Sequence, residues 1–394
     1  MPRYPSPARS ADGLSPAVYS SLLSLAEESG HEVFALNVGD TYLEPPHAAR
    51  VQRLADAPHP GLHRYADVRG EPALIEAIVA DHARRGLPID RERLQITAGG
   101  TSGLDVAART LLEPGDELIL LAPYWPLIRG IVRATGAQPV ELPLFTELRK
   151  PGFDLRATLE GALTERTAAI YVNSPNNPTG VVLNDDEIAI IADFADEHGL
   201  WVLSDEAYER LGFESDARPR LPTVWTHPTL LDRTVVMHTL SKSFALAGAR
   251  IGYLHGPTPV MQRIAGLNTF TNYCAARPMQ LAAARALSPD SDAWLAEARA
   301  RYRAAAEQTA KALRIPVPEG GTFVFFNTRP YLHKGETPEA LLERCARAGV
   351  VLTPGVVAGA AYRSWARLCF TCVPPSVLTR ALATLQRLLY AGHP

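Results

Sequence analysis

The residue that most invites a chemical reading is Lys242, in TLSKSFALAGARIGY between Ser241 and Ser243. The chain has 39 lysines and arginines together, and only Lys150, Lys242, Lys311 and Lys334 are lysines. A guanidinium stays charged in any protein, whereas an ammonium can lose its proton on burial and become a nucleophilic amine. Lys242 is therefore a candidate Schiff-base former. The bland alternative is a surface lysine in a turn.

Other polar residues have tasks if the ligand is a phosphorylated aromatic aldehyde. Gly99, Gly100, Thr101 and Ser102 join a predicted strand to a predicted helix, so free N–H groups and the positive helix end would face an anion. Arg250, eight residues after Lys242, adds a cation, and Thr239 and Ser241 add hydroxyls. Asp205, closing the apolar stretch LWVLSD, suits a protonated ring nitrogen, and Tyr208 a ring oxygen. Trp125 in APYWPL can stack on a ring. Arg367 in WARLCF is an arginine in an apolar strand: paired with a buried acid, exposed at an edge, or a two-pronged clamp for a carboxylate. Each has an ordinary structural alternative, such as a tight glycine turn for GGTS or a helix cap for SDEAY.

The elements that must position these residues alternate in type. LQITAGGTSGLDVAARTLL reads as strand, glycine turn and helix, and PGDELILLAP as a turn and a strand. TAAIYVNSPNNPTG is a strand entering a turn-rich loop. A helix follows in NDDEIAIIADFADEHG, with Asn184 and Glu187 at capping-box spacing and Gly199 as its stop. LWVLSDEAY and TVVMHTLSKS are further strands. The pattern predicts a mainly parallel α/β sheet with helices on both faces, and ligands beyond the carboxyl ends of its strands. Gly100, Thr101, Asn177, Asp205, Tyr208 and Lys242 all follow predicted strands, so they are expected to meet at one edge.

At this point the sequence resembles the class I/II aminotransferases of the fold type I pyridoxal-phosphate enzymes, from about Ala35 to about Leu388. NSPNNPTG, SDEAY, SKSFALAGARIGY and ARLCF carry the resemblance, in that order. It implies a large domain with a seven-stranded-type, mainly parallel sheet and a small α/β domain built from both chain ends. The expected division is an arm and part of the small domain in 1–45, the large domain in 46–295 and the rest of the small domain in 296–394. Pyridoxal 5'-phosphate is the implied cofactor. Lys242 would be its Schiff-base partner and proton shuttle, and Asp205 would pair with the ring nitrogen. Asn177 and Tyr208 would contact the ring oxygen, Trp125 the ring face, and Gly100, Thr101, Thr239 and Arg250 the phosphate. Arg367 with Asn177 would bind the substrate carboxylate, and Gly39 in LNVGD would face the substrate. Tyr65 in HRYADVRG would reach the phosphate of a neighbouring subunit, which implies a homodimer with shared sites.

The implied reaction moves an amino group between an α-amino acid and a 2-oxo acid. An elimination or cyclisation on the same cofactor is an alternative, and a ligand-sensing domain a more remote one. Some members acting on aspartate carry a lysine directly after the glycine pair, where this chain has Thr101. Arg277 in AARPMQ is either structural or a reader of an acidic substrate.

Bulk properties set limits. A net charge of −3, 46% hydrophobic and 21% charged residues describe an ordinary globular chain with no basic run and no apolar stretch of membrane-spanning length. Neither nucleic acid nor membrane is expected as a partner, and the chain reads as cytoplasmic. Cys274, Cys345, Cys369 and Cys372 are too few and scattered for a disulfide framework. The CxxC of Cys369 and Cys372 is expected on a strand, with the thiols on opposite faces and no metal role. His59 and His63 are expected in a loop, since glycine and proline break the helix their spacing would need as metal ligands.

Overall fold

The computed structural model describes residues 11, 14, 20–213 and 221–390. Twelve strands lie among them. They are β1 (Phe34–Ala35), β2 (Leu94–Thr97), β3 (Glu117–Ala122), β4 (Gln138–Pro143), β5 (Thr167–Asn173) and β6 (Trp201–Asp205), followed by β7 (Thr234–Thr239), β8 (Gly252–His255), β9 (Phe323–Asn327), β10 (Val350–Val351), β11 (Thr353–Pro354) and β12 (Trp365–Cys369). The α-helices are α1 (Ser20–Glu27), α2 (Pro72–Arg84), α3 (Gly100–Leu111), α4 (Pro126–Ala134), α5 (Leu155–Glu160) and α6 (Asp185–Glu197), then α7 (Leu240–Ser243), α8 (Thr258–Thr271), α9 (Arg277–Ala286), α10 (Asp292–Leu313), α11 (Pro338–Arg347) and α12 (Pro375–Tyr390).

Seven strands form the central sheet in the order β2-β8-β7-β6-β5-β3-β4. Only β8 runs against its neighbours, pairing antiparallel with β2 and β7, while every other pair is parallel. The expected mainly parallel sheet is therefore the observed one.

Its inner strands β3 and β5 are mostly apolar because both faces are covered, whereas the edge strand β4 (QPVELP) is only partly buried. Leu118 and Leu120 of β3, Tyr171 of β5, Leu203 of β6 and Met237 of β7 pack on one side with Leu104 and Val106 of α3. Their alternates Ile119, Leu121, Ile170, Val172 and Val202 pack on the other with Ile188, Ile191 and Phe194 of α6. This is the two-residue period of a strand read against two helical layers. α6 begins with the expected capping box, Asn184 accepting from the Glu187 amide and Glu187 from the Asn184 amide. It stops at Gly199, whose φ of +64° is left-handed.

A second layer joins the two chain ends. β1 pairs with β10, and β11-β12-β9 form an antiparallel sheet. Ala26 of α1 packs on Ala346 of α11 and Val351 of β10. That places Gly39, just after β1, and Arg367, on β12, against the carboxyl edge of the central sheet.

Candidate active site

Five loops at that carboxyl edge enclose one cavity, lined by residues of the glycine turn, Trp125, Asn177, Asp205, Tyr208 and Lys242. Gly100, Thr101, Thr239 and Arg250 also line it, so nine of the sequence-predicted site residues surround a single space.

At one end α3 begins at Gly100. Its N-cap Gly99 has φ +85° and makes no side-chain cap, which leaves the first amides without a capping side chain. A Cβ at Gly99 would run into the Arg250 guanidinium, and one at Gly100 would lie 2.6 Å from Met237 Sδ. Both glycines are required by close approach, and Gly99 also by its backbone. Arg250 is itself left-handed, φ +53°, and donates to the Ala247 carbonyl at 2.9 Å. Thr239 Oγ1 donates to Ser241 Oγ at 2.9 Å. Amides, a guanidinium and hydroxyls thus face one spot, a set of donors suited to an anion.

At the other end Asp205 is buried. Burial pushes its carboxyl up to about 6, against hydrogen bonds from Tyr171 and the Ala207 amide. Tyr171 Oη donates to Oδ2 at 2.5 Å, and the Ala207 N–H to Oδ1 at 3.1 Å.

Between the ends stands Lys242. Burial lowers its ammonium from the ordinary range. Nζ donates to the Gly39 carbonyl at 2.5 Å, and no carboxylate lies within ion-pair distance among the described residues. Gly39 can come this close because a Cβ there would sit 2.6 Å from Phe323 Cζ.

Arg367 is buried and donates Nη1 to Asn177 Oδ1 at 3.1 Å, and Nη2 to the Asn37 carbonyl at 2.9 Å and to Thr353 Oγ1 at 3.2 Å. Its Cζ lies 4.4 Å from the Phe323 ring centroid. Because arginine only donates, Asn177 Oδ1 must face it, and the amide nitrogen then faces Tyr208 Oη at 3.2 Å. Tyr208 accepts there, and its own proton is left to point elsewhere. Burial raises its phenol above the ordinary range and keeps that proton on.

Tyr65 is not part of the cavity wall. It is 81% exposed and meets Tyr273 edge to face, with ring centroids 5.0 Å apart. Arg277 is engaged structurally, with Nε on Glu71 Oε2 at 2.9 Å, Nη2 on Glu71 Oε1 at 3.2 Å and Nη1 on the Pro60 carbonyl at 3.1 Å.

The CxxC reading needs correction. β12 ends at Cys369 and the chain then bends, so Cys372 is not on the strand and its thiol returns to the Cys369 carbonyl at 3.2 Å. Both cysteines are reduced. His59 and His63 do lie outside any helix, and His59 Nε2 meets Arg285 Nη2 at 3.2 Å.

Sequence reasoning missed Tyr171, Asn173, Asn37 and Thr353. Asn173 Nδ2 donates to the Asp205 carbonyl at 2.9 Å and its Oδ1 accepts the Asn177 amide at 2.8 Å, which ties the β5 loop to the β6 end. Strand alternation was the available signal, since Tyr171 and Asn173 share a face.

Two other polar regions lie outside this cavity. His238 bonds to Glu209 at 3.0 Å and to His255 at 3.1 Å, and Glu209 in turn carries Arg85. A larger cavity of about 550 Å³ is lined, among the described residues, by no lysine, cysteine, serine or threonine, and its Arg84, Arg85, Arg149 and Arg210 are ion-paired.

Comparison with known proteins gives this geometry a family. Residues 31–385 match the model of "Aminotransferase class I and II". The chain is 34% identical over 341 residues to the arginine–pyruvate transaminase of Pseudomonas aeruginosa, covering 84% of each. It is also 34% identical over 350 residues to a probable aspartate/prephenate aminotransferase of Thermus aquaticus, covering 86% of this chain and 87% of that one. Among solved structures, a Thermus thermophilus aspartate aminotransferase double mutant superposes with a TM-score of 0.86 at 30% identity, covering 98% of this chain and all of the other. The N-succinyldiaminopimelate aminotransferase of Mycobacterium tuberculosis also gives 0.86, at 29% identity and 97% coverage of this chain. With a lysine, a carboxylate and an anion site on one sheet edge and a match running nearly end to end, this chain belongs to the class I and II aminotransferases, enzymes that move an amino group between an α-amino acid and a 2-oxo acid.

Proposed function

We propose that the cavity binds pyridoxal 5'-phosphate, with Lys242 as its covalent partner and Arg367 as the reader of the substrate α-carboxylate. The observation that carries this is Lys242 itself: a half-buried amine held by one carbonyl, without a counter-ion, facing a buried carboxylate and an anion site in the same space. The residues fit such a group. The missing Cβ of Gly99 lets the Arg250 guanidinium close on the α3 amides as a pair of donors for a phosphate, Asp205 offers a buried carboxylate for a ring nitrogen, and Trp125 offers an aromatic wall.

When bound, pyridoxal phosphate supplies an aldehyde carbon that amines attack and a ring that accepts an electron pair. Lys242, whose ammonium is lowered by burial, would hold that carbon as an imine with loss of water and would be free as an amine once a substrate amino group took its place. As a free amine in the cavity, Lys242 Nζ would be the base that takes the substrate Cα proton and the acid that gives it back, so one group could serve both proton transfers. Asp205 holds a proton on the ring nitrogen, which favours withdrawal of electrons from Cα. Asn177, its amide fixed by Arg367, orients Tyr208 to donate its hydroxyl proton toward the ring oxygen. Arg367 offers a planar fork to the α-carboxylate and fixes which Cα bond faces Lys242.

The substrate pair is an amino acid and a 2-oxo acid. A distal carboxylate would meet Thr101 rather than a lysine after the glycine pair, and Arg277 is occupied by Glu71. Selection of an acidic side chain by either position is thus disfavoured.

The same reading divides the chain at 1–45, 46–295 and 296–394, in keeping with the pairing of β1 with β10. It makes the protein a cytoplasmic homodimer. Exposed Tyr65, Phe270 (91%) and Val38 (51%) support an interface, and no described helix is long and apolar enough to cross a membrane.

The test is a single half-reaction. Cofactor-loaded protein is mixed with one amino acid at a time, without oxo acid, and the products are identified. Stoichiometric oxo acid with aminated cofactor establishes transfer; an eliminated product with unchanged cofactor overturns it. Borohydride reduction should fix the cofactor on Lys242, and Lys242→Ala should lose both the adduct and at least about 10⁴-fold in rate.

A further inference from the structure

Asp205 and its partner Tyr171 lie on adjacent parallel strands. In the β5/β6 register Asn173 is opposite Asp205 and Tyr171 opposite Leu203, so the tyrosine reaches diagonally along one face to the carboxylate. Tyr171 is 1% exposed, and its hydroxyl donates to Asp205 Oδ2 at 2.5 Å. Oδ1 accepts the Ala207 amide at 3.1 Å. Both oxygens are therefore pinned and the carboxylate plane is fixed, while each oxygen keeps a lone pair for a further donor.

We propose that Tyr171 is a positioning residue for the reaction: its hydroxyl sets the orientation and basicity of Asp205, and through Asp205 decides where the proton shared with the cofactor ring nitrogen resides. This rests on the reading that the cavity binds pyridoxal phosphate.

The direction of the effect follows from elementary electrostatics. Burial and the neighbouring Asp205 carboxylate hold the Tyr171 phenol well above its ordinary range, so it remains a donor at any working pH. A donor to a carboxylate stabilises the ionised form. Asp205 is buried in a place that raises its own carboxyl, and Tyr171 opposes that rise. Without the hydroxyl, Asp205 becomes the stronger base and draws the shared proton off the ring. The other ionisable groups facing Asp205 are Lys242 from α7 and Tyr208 and Glu206 on its own segment. Among the described residues Tyr171 is the side chain that hydrogen-bonds an Asp205 carboxylate oxygen, so its removal bears directly on that proton.

The experiment compares wild type, Tyr171→Phe and protein carrying 3-fluorotyrosine at 171, a nearly isosteric, stronger donor. Cofactor-free protein is titrated with pyridoxal phosphate between about pH 5 and 8, and the ring nitrogen of ¹⁵N-labelled cofactor is followed by NMR. In wild type, affinity falls at the acid end as Asp205 takes up its proton. Tyr171→Phe should move that midpoint up by about one pH unit and shift the resonance toward the unprotonated ring. The fluorinated protein should move both the other way, which a packing role alone would not do. If both variants match wild type while borohydride still fixes cofactor on Lys242, the inference is overturned and the enzyme reading stands. If no protein takes cofactor on Lys242, that reading fails and the inference with it. Should the Phe variant not fold, the fluorinated protein decides alone: a downward shift supports the role, and an unmoved midpoint overturns it.

Discussion

Single side chains in this site are held by donors of fixed type, and that makes their substitution effects directional. Arg367 holds Asn177, the Asn37 carbonyl and Thr353 through its two terminal nitrogens. Arg367→Lys keeps the charge but loses the fork and the hold on Asn177, so KM for the amino acid should rise about 100-fold in steady-state kinetics. Glu206, beside Asp205, is a second buried carboxyl. Burial pushes it up to about 8, against hydrogen bonds from Ser204 and Thr223. Its folded value is above the unfolded one, so the folded chain holds a proton that the unfolded chain releases. Its contribution to stability is therefore full below the unfolded value near 4.5 and is lost as pH rises through about 8. Glu206→Gln should lack this dependence. Thermal melts should show the variant gaining on wild type by a few degrees between pH 6 and pH 9. An equal gap at both values would mean that Glu206 is ionised throughout.

At the scale of elements, two helix starts have opposite duties. α6 is capped by its own side chains, Asn184 and Glu187, and serves the core. α3 has no side-chain cap at Gly99, and its open amides face the cavity. Asn184→Ala should cost about 1 kcal/mol of stability in denaturant unfolding and leave turnover unchanged. Gly99→Ala must place a Cβ at φ +85° against Arg250. It should cost about 1–3 kcal/mol and weaken cofactor retention roughly tenfold or more, measured by dialysis against buffer. Retention equal to wild type would mean that the anion site does not depend on this turn.

For the whole molecule, the two chain ends close the site. Gly39 follows β1, which pairs with β10, and Arg367 comes from β12 and reaches Asn37 across 330 residues, so the cavity is complete only when both chain ends have folded around the sheet. Tyr65 points away from it with 81% exposure, which gives it a task only if another protomer is present. If the proposed dimer forms, dilution should lower specific activity as it dissociates. Tyr65→Phe should release cofactor about ten times more readily than wild type in the assembled protein, read by sedimentation together with cofactor absorbance.

What the sequence determined by itself was the order of elements and the residues at their ends. Apolar runs, Asn184 with Glu187, and residue types that only certain chemistry uses are local signals, and a lysine among arginines is legible without any partner. Only the tertiary structure decided which groups touch. Arg367 meets the Asn37 carbonyl across 330 residues, and Tyr171 finds Asp205 across 34 by strand register. Arg277 was ambiguous until Glu71 was seen beside it, and the CxxC left its strand because the chain bends after Cys369. Periodicity and propensity act over a few residues, whereas pairing depends on how layers pack. The identity of the site was therefore written along the chain, and the placement of its protons was decided by the fold.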